Sequence, residues 1–156
     1  MKIYGVIGRK DQGKTTLIAG LVRLFSDQGL RVSTVKHAHK GFDVDQPGRD
    51  SHAHRLAGAA QVLVSSPTRW ALMSELRGAP ELDLEALLAQ LAPADLVIVE
   101  GYKQAPHPKI EVYREDRGEP PLCLTNPTVR ALAGSAGHYP VAVPVWSVDD
   151  VAGVAR

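Results

Sequence analysis

Apolar residues in this chain fall into two alternating patterns: short continuous runs, and longer stretches in which they recur every three or four positions. The first pattern predicts buried strands and the second amphipathic helices. Ile3 to Ile7 is a run of strand length ended by Gly8. From Lys14 onward, Leu17, Ile18, Leu21, Val22, Leu24 and Phe25 form a stripe broader than a coiled-coil seam, suited to a helix lying on a sheet. Gly29 supplies its stop, and Val32 to Val35 reads as the next strand. Strand, helix and strand joined by short links favour parallel pairing with a right-handed crossover.

Further along, His37 to Asp50 is polar, with Gly41, Pro47 and Gly48, and reads as a functional loop or an irregular hairpin. Ser51 to Ala60 predicts a short helix and Gln61 to Val64 a strand, whereas Pro67 to Pro80 has no clear period. Leu84, Leu87, Leu88 and Leu91 mark another amphipathic helix, with Asp83 as its N-cap and Pro93 beyond its end. Leu96 to Val99 is continuously apolar, the pattern of a central strand covered on both faces. Ile110 to Tyr113, Leu122 to Thr125 and Val141 to Trp146 are the remaining strand candidates. With no internal repeat, low-complexity tract or linker, residues 1–156 read as a single α/β domain, a mostly parallel sheet flanked by helices.

Composition narrows the class. A chain of 156 residues, 44% hydrophobic and 22% charged, buries a core without disulfides and is not disordered. Lys plus Arg at 18 against Asp plus Glu at 17 leaves a net charge of +1, which argues against a dedicated binder of nucleic acid or of an anionic membrane. The single cysteine, Cys123, cannot form an intramolecular disulfide and suits a reducing compartment. It lies in an apolar run and reads as a small core residue rather than a nucleophile. No run reaches the roughly 20 apolar residues of a membrane span. Nor does Met1 to Ile7 resemble a signal peptide, so a cytoplasmic protein is expected.

The chemistry starts at Gly8-Arg9-Lys10-Asp11-Gln12-Gly13-Lys14-Thr15, which fits the G-x-x-x-x-G-K-[ST] pattern of a phosphate-binding P-loop. Gly8 and Gly13 permit a tight turn whose N–H groups point inward around a phosphate, and the helix opening at Lys14 aims its positive end there. Lys14 reaches the β- and γ-phosphates of a nucleoside triphosphate, the Thr15 hydroxyl helps hold Mg2+, and Thr16 follows on the helix. Arg9, Lys10, Asp11 and Gln12 occupy positions where many such loops carry extra glycine; Arg9 and Lys10 either add charge near the phosphates or turn to solvent. A partner acid for Mg2+ belongs at the carboxyl end of a neighbouring buried strand, and Glu100 ends the Leu96 to Val99 run. Asp43, Asp45 and Asp50 compete for that role.

His37, His39, His52 and His54 are four of the six histidines. On extended chain, each one-residue spacing puts two rings on one face, where neutral imidazoles bind transition metals. On a helix the same spacing separates them. With Lys36, Lys40, Arg49 and Arg55 interleaved, an anion-binding or partner surface is the alternative. No Ser-His-Asp or Cys-His arrangement stands out, and no catalytic residue is assigned.

Taken together, GRKDQGKTTL (8–17), VKHAHKG (35–41), DSHAHRLAGA (50–59), VEGYK (99–103) and PKIEV (108–112) occur in the order seen in MobB proteins, which the chain resembles from its first strand to about Trp146. These are adaptor proteins of molybdopterin-guanine dinucleotide biosynthesis. The resemblance implies a P-loop NTPase-like fold, a GTP-binding accessory protein that is at most a slow GTPase, and a homodimer. It implies as partners a MobA-like guanylyltransferase and molybdopterin. Carried onto this chain, Gly13, Lys14 and Thr15 hold GTP phosphates and Glu100 sits near the metal. His37, His39, Asp50, His54 and Arg55 mark a surface facing the pterin or the partner. Ala53 departs from the arginine common at its position, and the carboxyl end is short against longer relatives.

Guanine specificity has no marker in the spacing, because the N-K-x-D element of small GTPases is absent. Asn126, after the predicted strand Leu122 to Thr125, is a candidate base contact. Two other functions use the same residues. VEG also suits the metal-binding strand end of a P-loop small-molecule kinase or ATP-dependent ligase, and the histidines suit a metal-delivery GTPase.

Overall fold

The computed structural model describes residues 1–38, 40–115 and 118–156. The elements follow as β1 (Lys2–Gly8), α1 (Lys14–Asp27), β2 (Val32–Lys36), α2 (Asp50–Leu56), β3 (Gln61–Ser65), β4 (Trp70–Ser74), α3 (Leu84–Leu88), β5 (Leu96–Glu100), β6 (Lys109–Tyr113), β7 (Val129–Gly134), β8 (Val145–Trp146) and α4 (Val151–Val154). They form two compact units: Met1–His37 with Leu84–Arg156, and Ala38–Asp83.

The first unit is built on a six-stranded sheet in the order β2-β5-β1-β6-β7-β8. Every pairing in it is parallel. The apolar run at β5 explains its central place. Leu96 and Ile98 pack on the α1 and α4 side with Val6, Val112, Leu17 and Leu21, while Val97 and Val99 pack with Ala94, Leu84 and Leu88 on the other. Burying each such side chain contributes roughly 1.5–3 kcal/mol. Gly29, at φ 83, closes α1: Leu30 N–H donates to the Phe25 carbonyl and Gly29 N–H to that of Ser26, a Schellman ending at the predicted stop. Because β1 lies between β5 and β6, the chain leaves it toward one edge of the sheet and later returns to build the other. The turn after β1 therefore sits at a topological switch point.

The end of the chain departs from expectation. Leu122 to Thr125 is not a strand; Leu122–Leu124 is a single 3-10 turn. Pro121, at φ -65, leads into it, and the Glu111 carboxylate accepts both the Leu122 N–H (2.8 Å) and the Cys123 N–H (2.9 Å), closing the turn. The strand is β7 instead, whose Arg130 interrupts an alanine-rich run that carries little strand propensity. Of Val141 to Trp146, only Val145–Trp146 is strand, since Pro140 and Pro144 lack the N–H a ladder needs.

The second unit contains α2 and an antiparallel hairpin of β3 and β4, with Leu63 opposite Leu72 and Ser65 opposite Trp70. Pro67 to Pro80, without a clear period in the sequence, supplies β4. The helix is shorter than Ser51 to Ala60: it ends at Leu56, and Gly58 at φ 115 turns the chain away. Val62 is buried, whereas Leu63, Trp70 and Leu72 on the other face of the hairpin are exposed. Among the described residues no helix is long and apolar enough to cross a membrane.

Glu111 is 1% exposed, and burial pushes its carboxyl pKa up against the two N–H bonds and the Arg9 charge, which pull it down. Glu111→Ala leaves two N–H groups without their acceptor. We expect a loss of about 2 kcal/mol, read as a lower urea midpoint at unchanged slope.

Candidate nucleotide site

The site begins where β1 runs out. Gly8 has φ 145, and a Cβ there would meet the Val112 carbonyl oxygen of β6 at 2.3 Å, so only glycine allows the turn to lie this close to the neighbouring strand. Asp11 (φ 63) and Gly13 (φ 101) are also left-handed, and together these positions fold the backbone back onto itself. Gln12 is buried at 2% exposure. Its Oε1 accepts the Arg9 N–H at 3.0 Å and its Nε2 donates to the Arg114 carbonyl at 3.3 Å, tying the loop to itself and to the segment after β6. The α1 amino terminus has no side-chain cap and no acid in its first turn. Its unpaired N–H groups and positive dipole end are thus presented to an anion.

Lys14 lies across this loop, with Nζ donating to the Arg9 carbonyl at 2.5 Å. Burial holds its pKa below the ordinary lysine value; Glu100 opposes that shift, and the Lys103 and Lys36 charges reinforce it. Glu100 ends β5 beside Val6 of β1, and its carboxylate is 3.4 Å from Lys36 Nζ at the end of β2. Three parallel strands therefore deliver Lys14, Glu100 and Lys36 to the carboxyl end of the sheet. The turn after Glu100 uses Gly101 (φ 94) and Tyr102 (φ 50), which bring Lys103 within electrostatic reach of Lys14. A Cβ on Gly101 would lie 3.0 Å from His37 Cβ, and the His37 ring stacks, tilted, on Tyr102 at 4.8 Å between centroids.

Not all the predicted residues join this group. Arg9 turns away, pairing with Glu119 and bonding the Pro120 carbonyl at 3.4 Å. Lys10, Asp11, Thr15 and Thr16 are exposed on the loop and first helical turn. Asn126 follows the 3-10 turn Leu122–Leu124 rather than the expected strand. Its Nδ2 donates to the Lys103 carbonyl (3.0 Å) and its Oδ1 accepts from Thr128 N–H (3.0 Å) and hydroxyl (2.6 Å), which ties the segment after β5 to the start of β7. Asp50, His52, His54 and Arg55 belong to α2 of the second unit, where the one-residue spacing on a helix separates the two rings. His39 lies outside the described residues. Arg55 is committed within that unit to Asp43 (2.6 Å), Glu75 (3.2 Å) and Asp45 (3.6 Å). This network engages two of the competing metal acids, Asp43 and Asp45. The Cys123 thiol is pushed up in pKa by burial and by Glu111, the reverse of an activated nucleophile.

Sequence reasoning gave no role to the buried polar group behind the site. Lys109, 0% exposed on β6, donates to the carbonyls of Ala105 and His107 (2.7 Å) and to the Thr128 hydroxyl (3.0 Å). These bonds secure the connection that carries Lys103 back across β1. The signal was present in PKIEV, where two charged residues alternate with aliphatic ones at the start of a strand candidate.

The chain matches the family model described as MobB, molybdopterin guanine dinucleotide synthesis protein B, over residues 3–135. The chain belongs to the MobB family. It is 40% identical over 147 residues to the molybdopterin-guanine dinucleotide biosynthesis adapter protein of Escherichia coli (strain K12), covering 92% of this chain and 83% of the relative. The MobB homolog from Bacillus stearothermophilus has the same fold at TM-score 0.75 and 32% identity, with 99% of this chain and 93% of that one aligned. Bacillus subtilis MobB superposes at TM-score 0.76 and 26% identity, over 99% and 94%. The family fold is that of P-loop nucleotide-binding proteins, as the loop and the strand order indicate.

His107 offers a pH test of the packing behind the loop. It presses on β1 where a Cβ at Gly5 would be 2.7 Å from its Nε2. Burial, reinforced by the Lys109 charge, lowers its pKa from 6.5 to about 4. The unfolded imidazole takes up its proton near 6.5 and the folded one only near 4. The stability that neutral His107 contributes is therefore present above 6.5 and is lost as pH falls toward 4. His107→Gln should flatten the fall in urea midpoint across that window relative to wild type.

Proposed function

We propose that this protein is a GTP-binding adapter in molybdopterin-guanine dinucleotide biosynthesis, working with a MobA-like guanylyltransferase that takes GTP and molybdopterin. The single observation that carries the reading is the convergence of a P-loop, Lys14 and the acid Glu100 at the carboxyl end of a MobB-family sheet. Loop N–H groups from Lys10 to Thr15, with the first turn of α1, receive the phosphates, and Lys14 exchanges the Arg9 carbonyl for phosphate oxygens. Thr15 and Glu100 are the residues suited to hold Mg2+, a hard cation that takes oxygen donors and neutralises phosphate charge when bound. Glu100 is preferred because it ends β5 in register with Val6 of β1, two residues before the loop begins.

The chain's own residues bind and orient, which suits an accessory role with slow hydrolysis at most. His37, stacked on Tyr102 beside Glu100, and Lys36 and Lys103 give this end of the sheet a basic rim for phosphorylated ligands or the partner enzyme.

Calorimetric titration with GTP and Mg2+ tests the reading. Lys14→Ala should weaken binding by about two orders of magnitude, the worth of a charge-assisted contact to phosphate (about 3 kcal/mol). Equal binding by wild type and Lys14→Ala overturns the site. Glu100→Gln should leave metal-free binding intact and abolish its strengthening by Mg2+. Failure of the guanylyltransferase to co-purify, with or without GTP, removes the adapter assignment.

A homodimer is part of the same reading, supported by the hairpin face on which Leu63 is 62% and Trp70 68% exposed. Trp70→Glu is expected to convert dimer to monomer in sedimentation velocity, while nucleotide binding by the first unit is retained.

A further inference from the structure

Beside the phosphate loop lies a cleft of about 530 Å3 that opens from Thr15 and Thr16, runs along α1 past Gly20 to Arg23, and is closed opposite by Val148, Asp149 and Val151. Its volume is in the range of small-molecule sites. Both walls are held firmly. A Cβ on Gly20 would be 2.8 Å from Val151 Cγ2, so glycine lets the terminal segment press onto α1. At the mouth of the loop, Val148 comes to 3.7 Å from the Cβ position of Gly13. Behind it, β8 pairs with β7, and Asp150 caps α4 by accepting the Gly153 N–H at 2.8 Å.

Of the two adjacent acids, Asp150 is thus committed to the cap. Asp149 is exposed on the cleft, with its backbone N–H engaged by the Ser147 hydroxyl at 3.3 Å. Its carboxylate makes no hydrogen bond or ion pair among the described residues.

The sheet order sets the direction of a bound triphosphate. Glu100 and Lys36 stand on the β5 and β2 side of β1, marking the metal and terminal-phosphate end. The Val148 to Val151 segment follows β8 at the opposite edge of the sheet. A nucleoside leaving the loop at Thr16 enters this cleft. Resting on the proposed nucleotide function, we infer that the cleft receives the nucleoside and that Asp149 reads its base as guanine.

The chemistry is selective. Guanine presents two adjacent donors, N1–H and the N2 amino group, to which a carboxylate accepts in parallel. Adenine offers its N6 amino group beside the N1 lone pair, which a carboxylate repels. Arg23 lies two turns beyond Thr16 on the same face of α1, where its guanidinium plane can stack on a purine.

The test is a titration of wild type, Asp149→Asn and Lys14→Ala with GTP, ATP and XTP in the presence of Mg2+. Xanthine carries a carbonyl where guanine has its N2 amino group, so an asparagine amide donates where the aspartate accepted. Wild type is expected to prefer GTP over ATP. Asp149→Asn should lose GTP affinity by about ten- to a hundred-fold and gain XTP affinity by about ten-fold or more, the scale of one base-reading polar contact. Lys14→Ala should weaken all three alike. GTP binding unchanged in Asp149→Asn with no gain for XTP, or equal GTP and ATP binding by wild type, overturns the Asp149 assignment while the P-loop reading stands. Absence of any triphosphate binding by wild type overturns both.

Discussion

A polyphosphate is held most economically by backbone N–H groups, and backbone can converge on a ligand only where side chains do not intervene. That requirement is concentrated at Gly8, whose missing Cβ lets the turn after β1 lie against the Val112 carbonyl of β6. The rest of the first unit serves this contact. The parallel pairing of β1 with β5 and β6 brings Glu100 to the same end of the sheet, and the uncapped start of α1 supplies further donors. Gln12, buried beneath the loop, exchanges hydrogen bonds with Arg9 and Arg114 and so keeps the turn in shape.

The two buried charges of β6 have a different job from the exposed ones of the loop. A charged group in a core is tolerated only when its hydrogen-bonding capacity is met. Lys109 meets it with two carbonyls and a hydroxyl, and Glu111 with two N–H groups. Each thereby organises one connection: Lys109 the segment returning from Glu100, Glu111 the 3-10 turn ahead of β7. Both residues are scaffold, and they act by positioning the backbone around the site.

The second unit makes the same point with Arg55. In sequence it belongs to a block that suggests ligand contact, but its guanidinium is surrounded by Asp43, Asp45 and Glu75. Charge in a sequence is ambiguous because a cation attracts protein carboxylates and ligand phosphates by the same Coulomb force. Only neighbours distant in the chain decide which it meets. A distant neighbour also engages the neutral amide of Asn126, which bonds the Lys103 carbonyl and, nearer in sequence, the Thr128 N–H.

What the sequence determined by itself was local. The period of apolar residues set α1 and the covered strand β5, and Gly29 set the helix stop. The spacing of Gly8, Gly13, Lys14 and Thr15 set a phosphate loop, since a loop of that length between a strand and a helix has few ways to fold. Tertiary structure decided what depends on non-local partners. Leu122–Leu124 is a turn because Glu111 claims its N–H groups, and the alanine-rich β7 is a strand because β6 and β8 flank it. The cleft at Asp149 likewise exists because β8 and a glycine in α1 bring the end of the chain against its beginning. Hydrophobic period and turn chemistry are properties of neighbours in sequence, whereas the partner of a polar group is a property of the folded chain.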